Sequence, residues 1–262
     1  MQRVWAGLID LLFPPRCAGC GARGALFCAR CVAGVAWMRP PICARCGDAV
    51  PGGPGAIACC EACRRAPPAF VVARSLAAYE GSLRQAIHAL KYRQYRAVAE
   101  SLGALLARSV PAEAAAGVTA VVPVPLHRVR QATRGFNQSA LLARPVAGAL
   151  GVPLVTDAIR RLHHETPQAT LGAAARRRNV LAAFEPGRQP VSGRVLLIDD
   201  VFSTGSTADA CARALLACGA DGVAVLTLAR AVLRLTVHDW KSGGESHSVA
   251  LVPQTPTVDA DG

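Results

Sequence analysis

The sequence predicts an α/β protein: a parallel sheet carrying one ligand site, preceded by a cysteine-rich metal-binding module. Three observations predict it. Val195-Leu196-Leu197-Ile198 is a short apolar run of the kind that forms a strand buried on both faces. Asp199-Asp200, a hydroxyl-rich loop and a helical stretch from Ala208 to Cys218 follow it. A second strand, Thr119 to Pro125, leads through a basic segment into a helix running from Asn137 to Leu150. Ahead of both, four Cys-x-x-Cys pairs are packed between Cys17 and Cys63.

Ligands of open α/β sheets sit beyond the carboxyl ends of the strands. The loop after Asp200 offers Ser203, Thr204, Ser206 and Thr207 as hydroxyl donors, and Gly205 lets the backbone approach an anion. The helix that follows supplies unpaired N–H groups and the positive end of its dipole, which suits a phosphate. Asp199 and Asp200 would repel that phosphate unless they bind something else. Vicinal sugar hydroxyls or a Mg²⁺ ion would serve. Phosphate loop plus acidic pair points to a ribose 5-phosphate rather than to a solvated helix N-cap.

Nine of the eleven cysteines lie between Cys17 and Cys63. Each Cys-x-x-Cys forms a knuckle presenting two thiolates, and two knuckles complete a tetrahedral zinc site. The simplest pairing places Cys17, Cys20, Cys28 and Cys31 on one Zn²⁺, and Cys43, Cys46, Cys60 and Cys63 on another. Cys59 competes with Cys60 as the ligand. Four thiolates close the coordination shell, so both metals are expected to be structural.

The net charge is +12 and unevenly spread. Residues 64–235 hold twenty-two Lys and Arg against ten acids, which makes the middle of the chain the place for an anionic partner. No apolar run reaches the ~18 residues a spanning helix needs. Met1 to Phe13 reads as an amphipathic helix packed on the body, without a clear cleavage site, and the chain is expected to be cytoplasmic. Arg64 to Phe70, with Pro67-Pro68, reads as a linker. Val71 to Tyr79 reads as an edge strand, and Ser82–Tyr92 and Tyr95–Val110 as helices flanking the sheet. Lys91 and Arg93, beside Tyr92 and Tyr95, are placed to face a phosphate or a base. Gly219 closes the helix after the acidic pair, and Gly222 to Leu228 reads as the last strand. From Thr236 the chain is polar and aperiodic and reads as a disordered tail. The expected domains are residues 1–66, 67–235 and the tail 236–262.

Val195 to Thr207 resembles the signature of the type I phosphoribosyltransferases, which bind phosphoribosyl pyrophosphate (PRPP). That family usually has two threonines before the glycine, where this chain has Ser203-Thr204. The Pro-x-Pro-Leu strand end, Leu90-Lys91-Tyr92, Arg134 to Ser139 and the four knuckles together resemble the ComF family (ComFC and GntX-like proteins). The resemblance spans about residues 5 to 230. It implies a phosphoribosyltransferase-like domain behind a double zinc ribbon. Asp199 and Asp200 would hold the ribose hydroxyls, and Ser203 to Thr207 the 5-phosphate. Arg128, Arg130 and Arg134, together with Lys91, would face the pyrophosphate, with Mg²⁺ bound alongside PRPP. Gln168, Arg176, Arg178 and Asn179 match the family's mobile loop that closes over the site. The resemblance also implies a role in natural transformation and DNA uptake.

Three readings follow: a phosphoribosyltransferase-type enzyme of unknown acceptor, a non-catalytic single-stranded-DNA binder, and a scaffold. The scaffold would dock competence proteins through its ribbons and keep the PRPP pocket as a sensor. Aromatic residues make up only 5% of the chain, and no stacking platform for DNA bases is visible in the sequence.

Overall fold

The computed structural model describes residues 14–51, 59–93, 95–162 and 183–231. The helix expected over Met1–Phe13, the loop residues Gln168, Arg176, Arg178 and Asn179, and the tail lie outside the described residues.

Four parallel strands form the sheet, in the order β1-β6-β5-β2: β1 Val72–Ala78, β2 Val118–Pro123, β5 Gly193–Phe202 and β6 Ala220–Arg230. A separate antiparallel pair, β3 Ile159–Arg161 and β4 Phe184–Pro186, brackets residues 163–182. In the ribbon region lie α1 Ala29–Ala33 and α2 Glu61–Arg65. Then come α3 Gly81–Tyr92, α4 Val98–Arg108, α5 Ala112–Ala115, α6 Arg128–Arg134, α7 Gln138–Leu150 and α8 Ser206–Ala217.

β5 is central, hydrogen bonded to β6 on one side and β2 on the other. Its side chains alternate between two apolar layers. Leu196 and Ile198 join a layer built with α3, α4 and α7, through Leu90, Leu102 and Leu142. Val195 and Leu197 join the opposite layer with Cys211 and Leu215 of α8. All four strand residues are fully buried, which explains why the run lacks a polar alternation. The strand continues past its apolar run to Phe202, so Asp199 and Asp200 lie within it rather than in the loop beyond.

The cysteine-rich module packs on the sheet. Residues 36–38 lie antiparallel to β1: the Met38 amide donates to the Leu76 carbonyl at 2.8 Å and the Ala78 amide to the Ala36 carbonyl at 2.8 Å. Further along, the Ala73 amide donates to the Arg45 carbonyl at 2.7 Å. β1 is therefore an edge strand whose open side is covered, which removes a template for aggregation. Cys17, Phe27 and Cys31 share an apolar cluster with Leu83 and Ala86 of α3. The Arg64–Phe70 stretch is more than a linker. α2 runs through Arg65, the Ala69 amide donates to Asp209 Oδ1 at 2.6 Å, and Phe70 is 2% exposed. The boundary expected at residue 66 thus falls in a packed joint.

Gly47 sits where the second ribbon meets β1. Its φ is +74°, and a Cβ there would stand 2.7 Å from the Ala73 carbonyl oxygen. Gly21 has a similar φ of +78° with open space around it. Gly21→Ala is expected to cost about 1 kcal/mol, the left-handed backbone penalty alone. Gly47→Ala should cost at least about 2 kcal/mol, because the joint to β1 must also shift. Urea unfolding of the two zinc-loaded variants checks the difference; equal costs would mean that the ribbon does not bear on β1.

Candidate phosphate and metal sites

The acidic pair is held from three sides. Asp199 Oδ1 accepts from the Ser139 hydroxyl at 2.8 Å and from the Asp200 amide at 2.9 Å. Asp200 is 3% exposed and forms an ion pair with Lys91 Nζ at 2.8 Å through Oδ1. Its Oδ2 is buried and has no hydrogen-bond partner among the described residues. Burial and the neighbouring Asp200 charge push the Asp199 carboxyl up to about 7, against the lowering effect of Lys91 and Ser139. Burial pulls the Lys91 ammonium down, but the Asp200 carboxylate outweighs it and holds the ammonium above its ordinary value.

Beyond the pair, Asp199 lines a recess with Phe202, Ser203, Gly205, Thr207 and Thr227. Gly205 caps α8 with φ of 80°, and the turn leaves Ser203 and Thr204 exposed. The Thr204 and Ser206 hydroxyls lie 2.9 Å apart. Hydroxyls, the first amides of α8 and the helix dipole all converge at this mouth, as an anion requires.

The basic segment after β2 is itself a short helix. His127 caps α6, accepting from the Val129 amide through Nδ1, and Gly135 ends it with φ of 74°. Arg128 and Arg130 are exposed on this helix. Arg134 is drawn inward: its Nη1 donates to Gln138 Oε1 at 2.6 Å, and its guanidinium lies 5.7 Å from the Tyr92 ring centre. Burial lowers the Arg134 guanidinium while the Asp200 charge opposes the shift, so the two are within electrostatic reach. The Asn137-Gln138-Ser139 run has a role at each position. The Asn137 side chain caps α7 by accepting from the Ser139 amide and donates to the Val124 carbonyl at 3.0 Å. Gln138 holds Arg134, and Ser139 holds Asp199.

The structure thus gathers Asp199, Asp200, Lys91, Arg134 and the Ser203–Thr207 turn at one end of the sheet, and leaves Arg128 and Arg130 on the surface. Ser139 and Thr227 join the site although sequence reasoning did not single them out. Ser139 is signalled only by its place in the Arg-Gly-Phe-Asn-Gln-Ser run; Thr227 carries no signal in the sequence, and only the strand register sets it opposite Asp199.

The eight knuckle cysteines form two separate sets, Cys17, Cys20, Cys28 and Cys31, and Cys43, Cys46, Cys60 and Cys63, each with sulfurs all within 4.8 Å of one another. Cys60, not Cys59, completes the second set. The Cys28 and Cys60 amides donate to Cys17 Sγ and Cys43 Sγ, both at 3.3 Å, as knuckle amides do toward thiolates. Burial pushes the Cys43 thiol up, but the amides of Cys46, Cys60 and Arg45 outweigh it and bring it down to about 6. Burial drives Cys31 and Cys63 well above the ordinary thiol range. A divalent cation supplies the field that holds all four thiolates together. These are two Cys₄ zinc-binding sites.

The double zinc ribbon domain matches residues 8–65. The DNA utilization protein YhgH of Salmonella typhi is 35% identical over 208 residues, covering 78% of this chain and 88% of the relative. The chain belongs to the ComF/YhgH family. YhgH of Escherichia coli K12 is 36% identical over 176 residues, covering 65% of this ComF-family chain and 77% of that protein. Competence protein F of Haemophilus influenzae is 36% identical over 115 residues, covering 43% and 50%. Solved phosphoribosyltransferase-type structures overlap loosely. The glutamine PRPP amidotransferase of Bacillus subtilis has a TM-score of 0.33 at 21% identity, covering 49% of this chain and 25% of that one. The orotate phosphoribosyltransferase of Aeropyrum pernix has a TM-score of 0.31 at 21% identity, covering 56% and 64%. Among the described residues no helix of this ComF-family chain is long and apolar enough to cross a membrane.

Asp199 has a pH signature. Unfolded, its carboxyl titrates near ~3.9; folded, near about 7. Between those values the folded, ligand-free chain binds the extra proton, so stability falls as pH rises from about 4 to about 7. Urea midpoints of the zinc-saturated protein should decline over the upper part of that window, and Asp199→Asn should flatten the decline. Metal analysis gives a second check: Cys59→Ser keeps two zinc ions per chain, and Cys60→Ser loses the second.

Proposed function

We propose that this ComF-family chain binds PRPP, or a closely related ribose 5-phosphate, together with Mg²⁺. We further propose that it carries out phosphoribosyltransferase-type chemistry in the service of DNA uptake or utilisation. The observation that carries the reading is the buried Asp200 Oδ2 without a partner, adjoining Asp199 and followed at once by the Ser203–Thr207 turn. An unpaired buried acceptor costs about 1–3 kcal/mol. A ribose hydroxyl donating to the pair, with its 5-phosphate on the turn, relieves that cost and fills the mouth.

The chain's own residues then divide the work. Asp199 and Asp200 orient the sugar, and Lys91 anchors Asp200 through their ion pair. The amides at the start of α8, with Thr204, Ser206 and Thr207, hold the 5-phosphate. Arg134, with Arg128 and Arg130 on the same short helix, faces the pyrophosphate side. Loss of pyrophosphate builds positive charge on the ribose, and two fixed carboxylates beside it favour that charge without reorganising. Asp199 and Asp200 would hold Mg²⁺, which would supply neutralising charge to the leaving pyrophosphate. The acidic pair fits such an ion, since it offers hard oxygen donors with one oxygen still unsatisfied. The DNA side of the proposal leans on the names of the relatives, DNA utilization protein and competence protein.

One observation favours the non-catalytic reading, binding of single-stranded DNA. Tyr92 is 64% exposed, one residue from Lys91, with the His88 ring 4.7 Å away and Arg134 beside it. That is a small stacking surface of the kind bases use.

Calorimetric titration with PRPP and Mg²⁺ tests the first reading. Asp199→Asn/Asp200→Asn, which keeps the shape and removes the charge, should weaken binding at least about tenfold, as loss of charged hydrogen bonds does. Unchanged affinity would reject the site. Fluorescence titration with a single-stranded oligonucleotide at low and moderate salt tests the second. Tyr92→Ala should cost about 1–3 kcal/mol if a base stacks there, and no binding at low salt removes that reading.

A further inference from the structure

Arg230, the last residue of β6, is 5% exposed. All three nitrogens of its guanidinium are engaged. Nη1 donates to the Cys46 carbonyl at 2.8 Å, Nη2 approaches Cys46 Sγ at 3.7 Å, and Nε donates to Asp48 Oδ1 at 3.1 Å. Asp48 is half exposed, so it is a weak counterion for a buried cation. Four thiolates around one divalent ion carry net negative charge, and the loaded second Cys₄ set is the buried counterion Arg230 requires.

The other face of the guanidinium lies 4.5 Å from the Phe202 ring centre. Phe202 is 4% exposed and is braced edge-on by Phe70, with ring centres 6.0 Å apart at 81°. The rim of that ring touches the phosphate turn: a Cβ on Gly205 would stand 2.7 Å from Phe202 Cζ. A continuous stack therefore runs from the Cys46 knuckle through Arg230 and Phe202 to Gly205. The first Cys₄ set has a different anchorage, with the Ser82 hydroxyl donating to the Cys31 carbonyl at 3.0 Å on α3.

We propose that Arg230 is a positioning residue that couples metal loading of the Cys43–Cys63 set to the phosphate turn. With the metal held, the knuckle anchors the guanidinium, the guanidinium pins Phe202, and the ring sets the left-handed turn at Gly205. Loss of the metal frees the stack, and the turn loses its grip on a phosphate. The inference rests on the reading of Ser203–Thr207 as a 5-phosphate site. It adds that this site is under the control of one zinc ribbon and not the other.

Coupling of this kind is reciprocal. Ligand on the turn must tighten zinc binding at the second set. The experiment uses the full zinc-loaded chain and ribose 5-phosphate as the probe. Calorimetry gives its affinity, and equilibrium competition with a chromogenic chelator gives the two zinc affinities with and without saturating probe. One of the two zinc sites of the wild type should bind about tenfold more tightly with the probe present, while the other serves as the internal reference. Arg230→Met should bind the probe about tenfold more weakly and show no tightening. Arg230→Lys keeps the cation but not the planar fork, and should behave like Arg230→Met. Binding by the wild type with unchanged zinc affinities overturns the coupling alone. No binding by the wild type overturns the phosphate reading and the coupling with it. Full tightening in Arg230→Lys overturns the role of the Arg230 fork, and it remains readable if the methionine variant fails to fold.

Discussion

The Lys91–Asp200 ion pair joins α3 to β5 with side chains only 20% and 4% exposed. A carboxylate taken out of water costs several kcal/mol unless it is closely compensated, and removing one partner of such a pair costs more than the pair contributes. Here the burden is doubled, because Asp199 stands next to it. Lys91 answers one carboxylate, and Ser139 and the Asp200 amide answer the other. These demands fix the ends of three helices. α3 must end with Lys91 over the sheet, α7 must begin with Ser139 beside β5, and Arg134 must close α6 near enough to share the field. The compensation stops one oxygen short, at Asp200 Oδ2, one residue along the strand from the Asp199 that lines the recess.

The cysteine-rich module is built into this frame rather than tethered to it. Arg74 of β1 donates to the Ala44 carbonyl at 3.1 Å, and Arg45 Nε donates to the Phe70 carbonyl at 3.3 Å. Both apolar layers of the sheet include knuckle cysteines. A structural zinc ribbon usually closes on itself. These two spend part of their surface on the sheet, which makes their metals part of the stability of the whole chain.

Much of this was readable in the sequence because its signals are local. The apolar run before Asp199-Asp200 and the Cys-x-x-Cys spacing depend only on near neighbours. The edge strand at Val71–Tyr79 and the helices around Leu90 and Leu102 appear within a few residues of their expected limits. α6 leaves no mark in the sequence because none of its residues is buried, so it has no apolar period to reveal it; His127 and Gly135 alone define it. β3 and β4 have three residues each, too few for an alternation. Lys91 meets Asp200, and Arg230 meets Cys46, only through the tertiary fold, and no spacing rule connects residues so far apart in the chain. The Cys59–Cys60 ambiguity had the opposite character: both spacings fit a knuckle, and only the positions of the sulfurs separate them.

The cover over the open side of β1 has a consequence for how the chain is made. On its inner side β1 pairs with β6, Val72 against Ala224, so that partner emerges from the ribosome long after β1 itself. Residues 36–38 and Arg45 precede β1 and already meet its outer hydrogen-bonding groups. A nascent chain that has captured its metal therefore holds a template on which the first strand can rest, shielded from other polysomes, until synthesis delivers the last one.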